Sequence, residues 1–342
     1  MTEYLTADLA RSLLPARPAD SHKGTFGKAL VVAGSPQYPG AASLCTAGAA
    51  RVGAGIVTLA ASRSMLAGPG RLAEITYLLL PEAEWGTLGE NAADELLKKI
   101  DGYQSLLVGP GLGQEAATAR FLKRLLALDT VRSNKRAGIG FRLGASAVEA
   151  ETVPAGLPPC VLDADALNLL SKHAEPEAAW RGDFLRPEPV SRPEPAIELT
   201  PWWEQLPHEH FVLTPHIGEM QRLLDVETLD ADHVQVATEA AQRWGQVLVL
   251  KSSTTIIADP QGRTVVYKGE NPALATAGSG DVLAGAITGL LAQGLTPLNA
   301  AMLGVYLHGA AAKIVRDVLG DMGAIASDLL PRLPLAIRSL KG

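Results

Sequence analysis

The residues best equipped for chemistry lie in 271–285, N-P-A-L-A-T-A-G-S-G-D-V-L-A-G. Small residues at Gly278, Ser279 and Gly280 let backbone N–H groups point into one concavity. The apolar run from Val282 marks a helix whose N-terminus adds partial positive charge. That combination binds anions, phosphates above all. Asp281 is the anomaly, an acid inside an anion site. Two readings of it are open. It caps the helix by accepting from the first N–H groups, or it is a catalytic base beside a phosphate, its carboxylate tolerated because those groups stabilise it.

Other positions offer partners. His216 and Glu219, three apart after an apolar run, place an imidazole and a carboxylate on one side of a turn. The imidazole can hydrogen-bond a ligand while Glu219 orders water around Mg²⁺; the alternative is Thr214 and Glu219 as caps with an incidental His216. Asp163 and Asp165 either share a cation or, as preferred for Asp165, cap the helix from Ala166. Lys251, followed by Ser252, Ser253, Thr254 and Thr255, either meets a nucleotide's phosphate or ribose or is a strand-end Lys in solvent. Neither G-x-G-x-x-G nor G-x-x-x-x-G-K-[ST] occurs, so a nucleotide binds by another route.

The elements that must position these residues alternate. Residues 29–35 read as a buried strand, 41–52 as a small-residue helix and 56–60 as the next strand, a βαβ unit that implies a parallel sheet. Strands are expected at 75–80, 105–108, 160–162, 211–213 and 247–250, with helices at 91–100, 116–128 and from Ala166. Residues 255–259 and 264–267 should form a hairpin at the sheet edge, and 5–14 a short helix. Strand after strand ends in a polar or Gly-rich residue. In an open α/β sheet those ends line the ligand crevice, so Gly34, Gly111, Asp163, His216, Lys251 and Asp281 should converge. Two stretches, 130–155 and 174–210, lack this pattern and read as insertions; Trp202 and Trp203 would anchor the second to the body or to another subunit.

Bulk properties narrow the classes. The 342 residues are 47% hydrophobic and 19% charged, with a net charge of −6, arguing against a nucleic-acid or membrane-surface role. Cys45 and Cys160 supply neither a disulfide framework nor a metal spacing, and are expected to be buried and inert. Residues 1–20 carry acids and no continuous apolar region, so the expectation is a cytoplasmic protein. The uncharged stretch 282–308 is long enough to span a bilayer, but Gly285, Gly289, Gln293, Gly294, Pro297 and Asn299 interrupt it. Two buried helices joined at 294–297 fit better.

Taken in order, His22-Lys23-Gly24, Gly27, Gly40-Ala41-Ala42, the loop Gly109-Pro110-Gly111-Leu112-Gly113, D-A-D-A-L-N at 163–168, T-P-H-I-G-E-M at 214–220, Lys251 to Thr255, Asn271 and G-S-G-D-V-L-A-G at 278–285 resemble the ADP/ATP-dependent NAD(P)H-hydrate dehydratase family. The resemblance covers most of 20–320. It implies a ribokinase-like three-layer α/β/α sandwich with a mostly parallel central sheet, a single domain over 21–342 behind an N-terminal extension (1–20). It also implies a hydro-lyase that repairs NADH or NADPH hydrated at C6 of the nicotinamide ring (NADHX, NADPHX). ADP or ATP is the co-substrate, with ADP expected, and Mg²⁺ the metal. By the same resemblance Asp281 is the catalytic base, and the amides of Gly278, Ser279 and Gly280 form the anion hole. Ala42, Gly111, Gly113 and His216 hold the hydrated nucleotide, Lys251 to Thr255 and Gly280 the adenine nucleotide, and Glu219 the metal through water. A homotetramer is implied.

Two departures bear on this. Lys251-Ser252 stands where relatives have Lys-Gly, which weakens the expected nucleotide contact. About 20 residues precede the H-K-G run, too few for the epimerase domain of many bacterial relatives, so an NAD(P)H-hydrate epimerase is expected as a separate chain. Competing readings are a ribokinase-like kinase of a small alcohol, such as hydroxymethylpyrimidine or hydroxyethylthiazole, and a non-catalytic nucleotide sensor. An intact G-S-G-D argues against the sensor.

Overall fold

A computed structural model describes residues 3–67, 72–128, 156–172, 201–229 and 232–342. Short β-rich apolar runs become ten strands: β1 (Glu3–Tyr4), β2 (Lys28–Val32), β3 (Ile56–Ser62), β4 (Thr76–Leu80), β5 (Ser105–Val108), β6 (Cys160–Leu162), β7 (Phe211–Leu213), β8 (Val247–Leu250), β9 (Thr254–Ala258) and β10 (Thr264–Lys268). They form one sheet in the order β1-β10-β9-β8-β7-β6-β5-β2-β3-β4. Every neighbouring pair is parallel except the two made by β9. The winding reverses between β2 and β5, and ligands bind at such reversals, outside the carboxyl ends of the strands.

The central strands are apolar at consecutive positions because both faces are covered. In β2, Ala29 and Val31 face one core and Leu30 and Val32 the other. The first core is closed by the helices Pro39–Arg51, Ser279–Ala292, Pro297–Leu319 and Leu333–Lys341. The second is closed by Glu90–Leu97, Ala116–Leu125, Asp165–Ser171, Ile217–Leu224 and His233–Trp244. The result is a three-layer α/β/α sandwich.

Small residues bring two of these helices unusually close. A Cβ at Gly48 would lie 2.7 Å from the Val282 carbonyl oxygen, and one at Gly285 would run into that of Cys45. This contact seats the N-terminus of Ser279–Ala292 beside that of Pro39–Arg51, over the β2/β5 reversal. The uncharged stretch resolves into two helices broken at Gly294 and Pro297. By length and composition Pro297–Leu319 is long and apolar enough to cross a membrane, yet 67% of its most apolar window is buried inside the fold, which makes it a core helix here.

Two edges differ from expectation. The β9–β10 hairpin forms, but the sheet continues past it, because β1 pairs with β10 through Glu3 and Tyr4. Leu5 and Ala10 of the N-terminal segment are buried in the first core. The expected insertion at 130–155 lies outside the described residues, as does 174–200 of the second. Where the chain returns, Trp202 is buried against Trp244, with ring centroids 5.4 Å apart, and meets Trp203 edge-on. Such a pair adds about 0.5–1.5 kcal/mol beyond burial and anchors this segment on the body of the chain.

Candidate active site

Asp281 is the third residue of the Ser279–Ala292 helix, not its cap. The N-cap is Gly278, at φ 88°, a left-handed conformation that a side chain would strain. A Cβ there would also crowd Leu44 Cδ1 and Ala326. Among the described residues, the N–H groups of Gly278, Gly280 and Asp281 meet no acceptor, and no donor reaches the Asp281 carboxylate. The capping reading is therefore not the one the fold adopts. Burial pushes the Asp281 carboxyl up to about 7, with a further push from Asp163 and smaller ones from Asp165 and Glu219 against the pull of Lys251. A group poised there exchanges protons near neutrality.

A cleft of about 680 Å³ opens in front of it, lined by Tyr38, Gly40, Gly111, Gly113, Gly278 and Asp281 among others. Its far wall is set by Asp165. That carboxylate does not cap its own helix, which begins after Ala164 without a side-chain cap; it accepts from Gly113 N (2.9 Å) and Gln114 Nε2 (3.0 Å) and so pins the Gly111 loop. Gly34 lies behind this loop, its N–H bonded to Pro110 O at 2.8 Å. Ala42 has no exposed surface and stands behind the wall rather than on it.

The other side of Asp281 is built from charges that already have partners. Lys251 sits beyond β8, its N–H on Pro215 O, and its Nζ lies 2.7 Å from Asp163 Oδ1 and 3.9 Å from Glu219 Oε2. It is not a solvent lysine. Burial pulls its pKa down, but Asp163, Glu219 and Asp281 together outweigh that and hold it charged. The same Nζ would lie 3.4 Å from a Cβ on Gly280, so the ammonium stands beside the anion-binding turn. Since Asp163 is paired with Lys251, the two aspartates do not share a cation.

His216, rather than Thr214, caps the Ile217–Leu224 helix. Its Nδ1 accepts from Glu219 N (3.2 Å) while Glu219 Oε2 accepts from His216 N (2.8 Å), a reciprocal capping box. Thr214 is buried and donates to Leu162 O. Burial first, then Lys251 and Arg222, lower the His216 pKa, leaving a neutral ring whose Nε2 carries the proton. The Glu219 side chain, 6% exposed, accepts from His216 N and lies 3.9 Å from Lys251 Nζ. Among the described residues no group of three or more His, Cys, Asp or Glu could hold a metal ion.

Ser252 and Ser253 turn the chain from β8 into β9, whose first residues are Thr254 and Thr255. Ser252 Oγ donates to Thr254 O (2.5 Å), Thr255 Oγ1 approaches Ser252 O (3.5 Å), and Ser253 is exposed. They do not line the cleft but adjoin Lys251. Cys45 and Cys160 are fully buried, and burial drives both thiols well up, Cys45 with a further push from Asp281.

One residue was missed in the sequence. His308, from Pro297–Leu319, places Nε2 2.9 Å from the carbonyl oxygen of Ser279. Its only signal was being the single histidine of the long uncharged stretch 282–308.

A bifunctional NAD(P)H-hydrate repair enzyme Nnr from Moorella thermoacetica is 38% identical over 98% of this chain and 54% of its own length. The chain thus spans about half the length of the first curated relatives it matches. An ADP-dependent (S)-NAD(P)H-hydrate dehydratase from Bacillus subtilis is 31% identical over 96% of this chain and 97% of that one. The crystal structure of an ADP/ATP-dependent NAD(P)H-hydrate dehydratase from Bacillus subtilis, co-crystallised with ATP/Mg²⁺, superposes with a TM-score of 0.70 at 27% identity, covering 99% of both chains. The fold is ribokinase-like, as expected. With residues 29–190 and 196–332 matched by its model, the chain belongs to the Carb_kinase family, described as NAD(P)H-hydrate dehydratase.

Proposed function

We propose that this chain dehydrates (6S)-NADHX and NADPHX to NADH and NADPH at the expense of ADP or ATP. The observation that carries the reading is Asp281: an acid pushed to about 7, without a hydrogen-bond donor, beside three amides that meet no acceptor. Hydroxide leaves poorly and phosphate leaves well. Asp281 takes the proton of the C6 hydroxyl as its oxygen attacks the terminal phosphorus of the nucleotide. The N–H groups of Gly278, Gly280 and Asp281, with Lys251 beside them, stabilise charge on the phosphoryl group in flight, whereas the Ser279 N–H expected among them is already bonded to Thr276 O at 3.4 Å. The ring nitrogen then expels phosphate from C6, a proton leaves C5, and the dihydropyridine is restored. From ADP the products are NAD(P)H, AMP and phosphate.

The cleft side, with Gly111 and Gly113, takes the hydrated nicotinamide nucleotide, and the neutral His216 offers its Nε2–H to it. Lys251 to Thr255 and Gly280 take the adenine nucleotide. Mg²⁺ accompanies ATP in the Bacillus subtilis crystals. Among the described residues no group of three or more His, Cys, Asp or Glu forms a cage for it, so it would arrive on the nucleotide's own phosphates, with Glu219 at most ordering its water. An NAD(P)H-hydrate epimerase is the functional partner that supplies the correct epimer, consistent with the bifunctional relatives. A homotetramer is the proposed assembly.

The test is to incubate the protein with hydrated NADH and each phosphoryl donor in turn. Recovery of the reduced nicotinamide's near-ultraviolet absorbance supports the reading. No recovery, with a phosphorylated vitamin-precursor alcohol formed instead, would establish the small-alcohol kinase, which needs the same base and anion hole but stops at the phosphate ester.

A further inference from the structure

We infer that His308 is a positioning residue for the anion site: by holding the Ser279 carbonyl it fixes the peptide plane whose opposite edge is the Gly280 N–H. This rests on the proposed role of those amides as the phosphoryl cradle.

The geometry is that of a single peptide unit. The Ser279 carbonyl and the Gly280 N–H belong to one planar trans amide and point in opposite directions. His308 Nε2 lies 2.9 Å from that oxygen, from the neighbouring core helix. Gripping the oxygen from the core side turns the N–H away from the core, where among the described residues it meets no acceptor. The Lys251 ammonium stands on that outer side, within van der Waals range of where a Gly280 side chain would begin.

The chemistry of the bond is fixed as well. A carbonyl oxygen can only accept, so Nε2 carries the hydrogen. Burial drives the His308 pKa down to about 4, so the ring stays neutral wherever Asp281 works and its grip does not vary with pH there. Donation to the carbonyl also polarises the amide and strengthens its N–H as a donor. An imidazole on the buried face of an apolar helix costs stability unless it is bonded. A leucine would pack there without that cost, and among the described residues the one hydrogen bond of the His308 side chain is to Ser279 O, two residues before Asp281.

The experiment compares wild type with His308→Leu, which removes the donor, and His308→Gln, whose amide nitrogen can reach the same oxygen. Calorimetric binding of inorganic pyrophosphate and steady-state dehydration are both read. His308→Leu should bind pyrophosphate about 10-fold more weakly and lose about 10-fold in kcat, with KM for hydrated NADH unchanged and the acid limb of the pH profile still near 7. His308→Gln should recover most of both. Should the leucine variant not fold, His308→Asn, whose amide is too short to reach, takes its place with the same expected losses. Pyrophosphate binding that is absent in wild type, unaffected by loss of the donor, or equally weak in His308→Gln overturns the inference. Intact pyrophosphate effects without recovery of NADH would instead overturn the dehydratase reading alone.

Discussion

Asp281 divides two regions with opposite habits. Toward β6–β8, every charge is already spoken for: Lys251 on Asp163, Glu219 on His216, His216 as a helix cap. Toward the β2/β5 reversal, the chain leaves donors bare and an acid alone beside an open cleft. The difference separates positioning from chemistry. Satisfied charges hold a geometry that forms without ligand, whereas unsatisfied groups mark where a ligand's own atoms must complete the bonding.

Several substitutions would break or sharpen this contrast. The largest effect belongs to the bare side: Asp281→Asn should lower dehydration turnover by about 10³-fold, the reach of a well-placed general base, while substrate binding followed by calorimetry stays close to wild type. On the paired side, Lys251→Met leaves Asp163 buried without its partner, and chemical denaturation should show a loss of about 3–5 kcal/mol. Adding Asp163→Asn should return part of that loss. Were the lysine merely a ligand contact, stability would not move and the contrast would fail.

A smaller effect tests the scaffold that serves both regions. Gly285→Ala forces the two small-residue helices apart and should cost about 1–3 kcal/mol, seen as a lower Tm with KM little changed. Smallest of all, Arg263→Ala removes an exposed pair with Glu3 at the sheet edge, both nitrogens 3.0 Å from the carboxylate. Thermal unfolding should register under about 1 kcal/mol, and turnover nothing.

The same division explains what could be seen in the sequence. The parallel βαβ order, the three layers and the convergence of strand ends were legible because apolar runs and Gly-bearing turns are local signals. Two-residue β1 was not, since so short a segment carries no period. The partners of charges were not legible either. Lys251 offered a choice between nucleotide and solvent, and only the adjacency of β6, β7 and β8 shows it facing Asp163 and Glu219. Thr214 looked like the cap because its side chain is the commoner one for that task; His216 fills it instead. Asp165 pins a loop about 50 positions away, 52 by the bond to Gly113, which no local pattern predicts. His308 is hidden for a different reason, being the one polar side chain among the buried residues of its helix.

The most direct test is the pH dependence of dehydration turnover in wild type, with Asp281→Asn as the reference. The base must be ionised, and its folded pKa is raised from 3.8 to about 7. Turnover should therefore climb as pH rises through about 7. From about pH 4 up to about 7 the fold should lose stability and then level off, because between the unfolded pKa of 3.8 and the folded one the native carboxyl holds a proton that the unfolded chain has released. Asp281→Asn should abolish the climb and raise Tm above that pH. A turnover indifferent to pH across this range, or an Asp281→Asn enzyme as fast as wild type, would contradict the account.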